Sequence, residues 1–154
     1  MKSNMREHLK ILIAVLCALI CAALLSCGKG DEKPAVNHDA EISEGISSAE
    51  RWIKLIDGGE YSQSRSSASA TFRNALTESR WKEIISSARG TAGRNLGREI
   101  ASREYVTGLP GAPEGEYVII KYRSSFENRK RAIEVVTVMR DPDGKWRGAG
   151  YTLK

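Results

Sequence analysis

The chain has 154 residues, with 24 Lys and Arg against 19 Asp and Glu, for a net charge of +5. That is enough chain for one core, and too modest a positive balance for a nucleic-acid-binding surface. The 3 cysteines all precede Gly28 and the 2 histidines are His8 and His38, so most thiol, imidazole and zinc constellations are excluded beyond that point.

Lys2, Arg6 and Lys10 outweigh Glu7, and Ile11 to Leu25 is then apolar without a charge. A positive segment before a short apolar run has the pattern of a secretory signal. The run is shorter than the roughly 20 apolar residues that span a bilayer core. Leu24-Leu25-Ser26-Cys27 resembles the lipobox of bacterial lipoproteins: Leu, a variable residue, a small residue, then Cys. The resemblance implies cleavage after residue 26 and fatty-acyl (palmitate-type) chains on Cys27. At about 0.8 kcal/mol per buried CH₂, two or three such chains hold a small protein on a membrane. The competing expectation is an uncleaved N-terminal anchor. Gly28, rather than Asp, follows the cysteine; by analogy with Gram-negative lipoproteins this implies the outer membrane, facing the periplasm. Cleavage removes three positive residues and one negative, lowering the charge to +3, and takes Cys17 and Cys21 with it. The domain then has no disulfide, although its compartment permits them.

After Cys27, residues Gly28 to Asp39 are polar, with Gly and Pro and no periodicity. They read as a flexible tether, with a reach on the order of 20 Å for a coil of that length. Residues 40–154 read as a single domain. Ala40 to Asp57 is helical: Ile42, Ile46, Ala49, Ile53 and Ile56 form one stripe with Trp52 beside it. Asp39 is the expected N-cap, and Gly58-Gly59 the stop. Tyr61 to Ala75 is a weaker helix with Tyr61, Ala68 and Phe72 on one face, in line with Leu76 beyond its end. Thr77 caps a third helix, Glu78 to Arg89, striped by Trp81, Ile84, Ile85 and Ala88.

The period then changes to two. Strands are expected at Leu96 to Thr107, Glu116 to Phe126, Ala132 to Arg140 and Lys145 to Leu153. Leu109 to Gly115 is a loop, and Asp141-Pro142-Asp143-Gly144 a hairpin turn. Helices first and an antiparallel meander afterwards imply an α+β fold, with the helices on one face of a curved sheet of about four strands. In Tyr117 to Tyr122 and Val135 to Met139 apolar residues fall on both faces. A sheet with one wet face alternates more cleanly. Either the sheet curls around the long helix, or another chain covers its outer face, as an envelope protein partner or a homodimer packed through the sheet.

Ala49-Glu50-Arg51-Trp52, Asp57 to Tyr61, Phe72-Arg73, Trp81, Leu109 to Tyr122, Phe126, Asp143 to Trp146 and Gly150-Tyr151 resemble the bacterial family called domain of unknown function 4019. The resemblance covers nearly all of the domain. It implies a relative of the cystatin-like or nuclear-transport-factor-like cone folds, in which a curved sheet wraps a helix, and it implies no activity.

Chemistry without histidine or cysteine leaves carboxylates: Glu99, Glu104, Glu116 and Glu134. Glu134 sits mid-strand among apolar residues, and burial would raise its pKa and make it an acid or base; an exposed or arginine-paired glutamate is the plainer expectation. With Tyr122 and Arg123 it defines a speculative pocket in the interior of the cone. Ser79-Arg80-Trp81-Lys82 spells S-x-x-K, but its companion motifs are absent. Basic residues cluster at Arg89, Arg94, Arg98 and Arg103, and at Lys121, Arg123, Arg129, Lys130 and Arg131. Interspersed acids make a solvated surface the plain reading, and anionic headgroups or an acidic envelope partner the functional one. The expectation is a membrane-anchored, non-enzymatic accessory or binding module with no catalytic residue, cofactor, metal or nucleic-acid partner. The alternative is a small-ligand binder or carboxylate-dependent enzyme using the cone's interior.

Overall fold

The computed structural model describes residues 37–154. The apolar run, the Leu24–Cys27 motif and nearly all of the tether lie outside the described residues. Four helices come first: α1 (Asp39–Asp57), α2 (Tyr61–Ser66), α3 (Ala70–Ala75) and α4 (Glu78–Gly90). Four strands follow: β1 (Asn95–Val106), β2 (Tyr117–Phe126), β3 (Ala132–Arg140) and β4 (Trp146–Leu153). The strands pair antiparallel in the order β1-β2-β3-β4. This is the expected α+β architecture of helices followed by a four-stranded antiparallel sheet.

Two local expectations need correction. Asp39 is the first helical residue of α1 and His38 occupies the cap position. The expected helix from Tyr61 to Ala75 is two short helices, broken at Ser67–Ser69. Ser69 opens α3 by accepting the Phe72 N–H, and its own N–H donates to the Gly148 carbonyl at 2.8 Å. Ser, which competes for backbone partners, favours such caps over helix interiors.

The end of α1 is built by glycine. Gly59 has φ +75°; its N–H reaches the Ile56 carbonyl at 3.1 Å and the Glu60 N–H the Leu55 carbonyl at 2.8 Å. This is a Schellman closure, and it leaves Asp57 in the last turn facing the sheet's end. At the opposite end of the chain order, Gly144 (φ +77°) closes the β3–β4 hairpin.

The core lies between the helices and one face of the sheet. Trp52 and Trp81 stack with centroids 5.9 Å apart, and Phe72 meets both edge-on. Buried Ser64 ties the two indoles: Trp52 Nε1 donates to its carbonyl at 2.6 Å and Trp81 Nε1 to its hydroxyl at 2.9 Å. Ala49, Ile53, Ile56 and Ile85 complete the helical side, and Val118, Ile120, Val136 and Val138 the sheet side. Gly148 is needed here: a Cβ would stand 2.2 Å from the Trp52 ring.

Strand alternation sorts the sheet. Val118, Ile120, Tyr122 and Ser124 of β2 and Glu134, Val136 and Val138 of β3 face the helices and are buried. Arg123 and Ile133 face the other way and are paired across the strands. The outer face is partly exposed at Ile119, Val135 and Thr137. Register shifts in β1 near Leu96 and Ala101, and between Thr137 and Val138, mark bulges, which bend strands.

Candidate functional site

Where α1, α4 and all four strands converge, six polar side chains form one closed network. Glu134 of β3 is its centre and is 0% exposed. Its Oε1 accepts from Arg89 Nη1 at 2.9 Å and from the Tyr151 hydroxyl at 2.7 Å. Its Oε2 accepts from Arg98 Nε at 3.0 Å and from the Ser124 hydroxyl. Asp57 closes the ring: it accepts from Arg89 Nη2, and from Arg98 Nη1 and Nη2 at 2.6 and 2.8 Å. Two guanidiniums thus meet two carboxylates, and the cluster is neutral as a whole.

Each member is delivered by local structure. The Schellman turn sets Asp57, and the last turn of α4 sets Arg89, where a cation also suits the negative end of the helix dipole. Arg98, Ser124, Glu134 and Tyr151 project from the same face of four neighbouring strands. Aromatic rings wall the cluster, with Arg89 4.7 Å from the Phe126 centroid and Arg98 6.0 Å from that of Tyr122.

Electrostatics follow the geometry. Burial disfavours charge on Arg98, but the hydrogen bonds and field of Asp57 and Glu134 outweigh it and hold the guanidinium above its ordinary value. Burial of Tyr151, reinforced by the Glu134 carboxylate, pushes its hydroxyl well up. Burial also pushes the Tyr122 hydroxyl up to about 12, with the Glu50 carboxylate adding to it. The Tyr122 hydroxyl itself is buried with no hydrogen-bond partner among the described residues.

The expected trio of Glu134, Tyr122 and Arg123 is divided. Glu134 and Tyr122 are cross-strand partners on the inner face. Arg123 is on the outer face, 66% exposed and 3.4 Å from Glu99. The structure therefore does not bring Arg123 to a pocket with the other two, because neighbours on a strand point to opposite faces. The other carboxylates are peripheral: Glu116 accepts from Tyr105 at 2.7 Å and pairs with Arg140 at 3.2 Å, and Glu104 is exposed. Lys82 pairs with Glu78 at 2.8 Å, and Ser79 meets the Thr77 hydroxyl. Sequence reading did not join Asp57, Arg89, Arg98, Ser124 and Tyr151 to Glu134. The available signal was a lone acid amid apolar strand residues, which demands cationic partners.

A family model described as a protein of unknown function (DUF4019) matches residues 48–151. The chain belongs to that family. The matched span contains all six residues of the network and all three core tryptophans, so the site belongs to the family's domain rather than to the flanking segments. No curated protein matches the chain. Among the described residues no helix is long and apolar enough to cross a membrane, and no group of His, Cys, Asp and Glu has metal-site geometry.

The depressions of the domain are on its surface. One of about 660 Å³ lies between α1 and the start of β4, floored by Trp146 and Trp52. A second of about 610 Å³ lies beside the β2–β3 hairpin. A third of about 570 Å³ lies by the β3–β4 hairpin. None of the three is lined by Glu134 or Tyr122.

Proposed function

We propose that this is a lipid-anchored envelope protein, held by acyl chains on Cys27, whose domain works through its surface as a non-enzymatic accessory or binding module. In a Gram-negative cell its place is the outer membrane, facing the periplasm. The observation that carries the non-enzymatic part is the saturation of Glu134. A carboxylate has about four acceptor sites, and Arg89, Tyr151, Arg98 and Ser124 fill them with five donors, Arg98 giving both Nε and Nη2. No acceptor remains to take a proton from a substrate. The clamp is a way to join two helix ends to four strands. The anchoring part is supported by the Leu24–Cys27 motif and the apolar run before it.

Intact mass and fractionation of the wild type and Cys27→Ala test the anchor. Loss of the acyl mass and release from the membrane are expected in the variant. A Cys27→Ala protein that is still processed and still fractionates with membranes would overturn it.

A further inference from the structure

The second depression carries charge that the fold does not use. It lies at the end of the sheet by the β2–β3 hairpin, lined by Gly97, Arg123, Ser125, Lys130, Arg131 and Ile133, with Glu99 and, from the inner network, Arg98 and Ser124 also in its lining. Glu99 is engaged by Arg123 at 3.4 Å. Lys130 and Arg131 are exposed and form no ion pair among the described residues. An apolar surface stands beside these cations: Ile133 is 41% exposed in the depression and Leu96, one residue from Gly97, is 55% exposed. Cations next to exposed aliphatic residues match a boundary where phosphate groups meet hydrocarbon.

Its position adds to the argument. The chain enters the domain at His38, whose ring stacks on Tyr105 at 3.9 Å. Tyr105 lies at the end of β1 remote from Gly97 and the β2–β3 hairpin. His38 and the cationic depression thus mark opposite ends of one sheet, His38 lying with Tyr105 on the side that faces the helices. Between them the outer face bears the half-exposed Ile119 and Val135.

We propose that this depression binds the phosphate headgroup of an anionic phospholipid, so that the domain lies with its outer sheet face along the bilayer that holds Cys27. The proposal rests on the lipid-anchor reading. Arg123, Lys130 and Arg131 supply charge-assisted donors to the phosphate oxygens, Ser125 a hydroxyl, and Ile133 contact with the upper acyl region.

The test uses the full chain reconstituted in phosphatidylcholine vesicles with or without phosphatidylglycerol, its acylation verified by intact mass in the same sample. Acetylation of Lys130 is followed by peptide mass spectrometry against Lys145, which lies in the other hairpin. Phosphatidylglycerol should slow Lys130 about fivefold relative to Lys145, the effect of one basic contact at an anionic surface. Gly97→Leu and Arg131→Glu should each remove that protection. Gly97→Leu keeps every charge, and a Cβ there meets nothing within 4 Å, so it fills the depression without disturbing the fold. Arg131 is exposed, so its variant folds irrespective of the first. Equal Lys130 rates on both vesicles with acylated protein overturn the site while leaving the anchor standing. Absence of acylation defeats the anchor instead. Protection by soluble pyrophosphate alone overturns the lipid assignment in favour of a free phosphate compound. Protection that survives Gly97→Leu overturns the depression in favour of diffuse surface attraction.

Discussion

Ile133 and Glu134 are adjacent in the chain and live in opposite worlds. The isoleucine is 41% exposed on the outer face; the glutamate is fully buried under the helices. One strand over, Tyr122 is 3% exposed and its neighbour Arg123 is 66% exposed. The polar residue is inside in one pair and outside in the other. What decides each case is the supply of partners rather than hydrophobicity. Glu134 finds two arginines, a tyrosine and a serine; Arg123 finds one glutamate at the surface and solvent.

Breaking the inner side should have the largest effect. Glu134→Ala leaves Arg89 and Arg98 buried and opposed only by Asp57, and should cost about 3–5 kcal/mol. Urea unfolding of the variant measures it, and a loss near zero would mean that the clamp does not hold the elements together. Gly148→Ala tests the neighbouring aromatic core. The added methyl collides with the Trp52 ring, and a loss of about 1–3 kcal/mol is expected for overpacking. A lower unfolding midpoint with perturbed near-ultraviolet tryptophan dichroism is the signature.

Tyr151 and Tyr122, both on the inner face, sharpen the comparison further. Tyr151 donates to Glu134 and accepts from Arg89, so Tyr151→Phe should cost about 1–3 kcal/mol. Tyr122 is as well packed but its hydroxyl has no partner. Tyr122→Phe should therefore change stability by less than about 0.5 kcal/mol or raise it, since removing an unsatisfied buried group is not a loss. Finding the reverse order would contradict the hydrogen-bond assignment. On the outer face, Arg123→Ala removes one exposed pair and should cost less than about 1 kcal/mol.

Alkali separates the faces in another way. Tyr122 titrates near 10 in the unfolded chain and is pushed up to about 12 in the fold. Its protonated form is thus favoured by folding: that contribution is complete below about pH 10 and is lost as pH rises through about 12. Unfolding midpoints should stay level up to about pH 10 and fall beyond it, and the fall should be shallower in Tyr122→Phe. A decline equally steep in the variant would place the alkaline transition elsewhere.

Much of the fold was legible in the residues. The stripe from Ile46 to Ile56, the Gly58-Gly59 stop, the Thr77 cap and the Asp141 to Gly144 hairpin are local signals, and the structure uses each. The break at Ser67–Ser69 was hidden because Ser69 leaves the helix for Gly148, 79 residues away in sequence. The separation of Arg123 from Glu134 was in principle readable, since Tyr122 and Arg123 are consecutive on a strand and alternation puts them on opposite faces.

By itself, then, the order of residues determined the elements, their amphipathic faces, the cysteine motif ahead of them and the absence of cysteine from the folded domain. These depend on neighbours within a turn or a strand, where period and propensity act. Tertiary structure alone decided which glutamate is buried and which arginines accompany it. Asp57, Arg89, Arg98 and Glu134 carry no common local pattern, and several other arginines have the same reach and charge. Only the crossing of two helix ends with four strand faces brings this set within hydrogen-bonding distance, and only burial makes their mutual satisfaction obligatory.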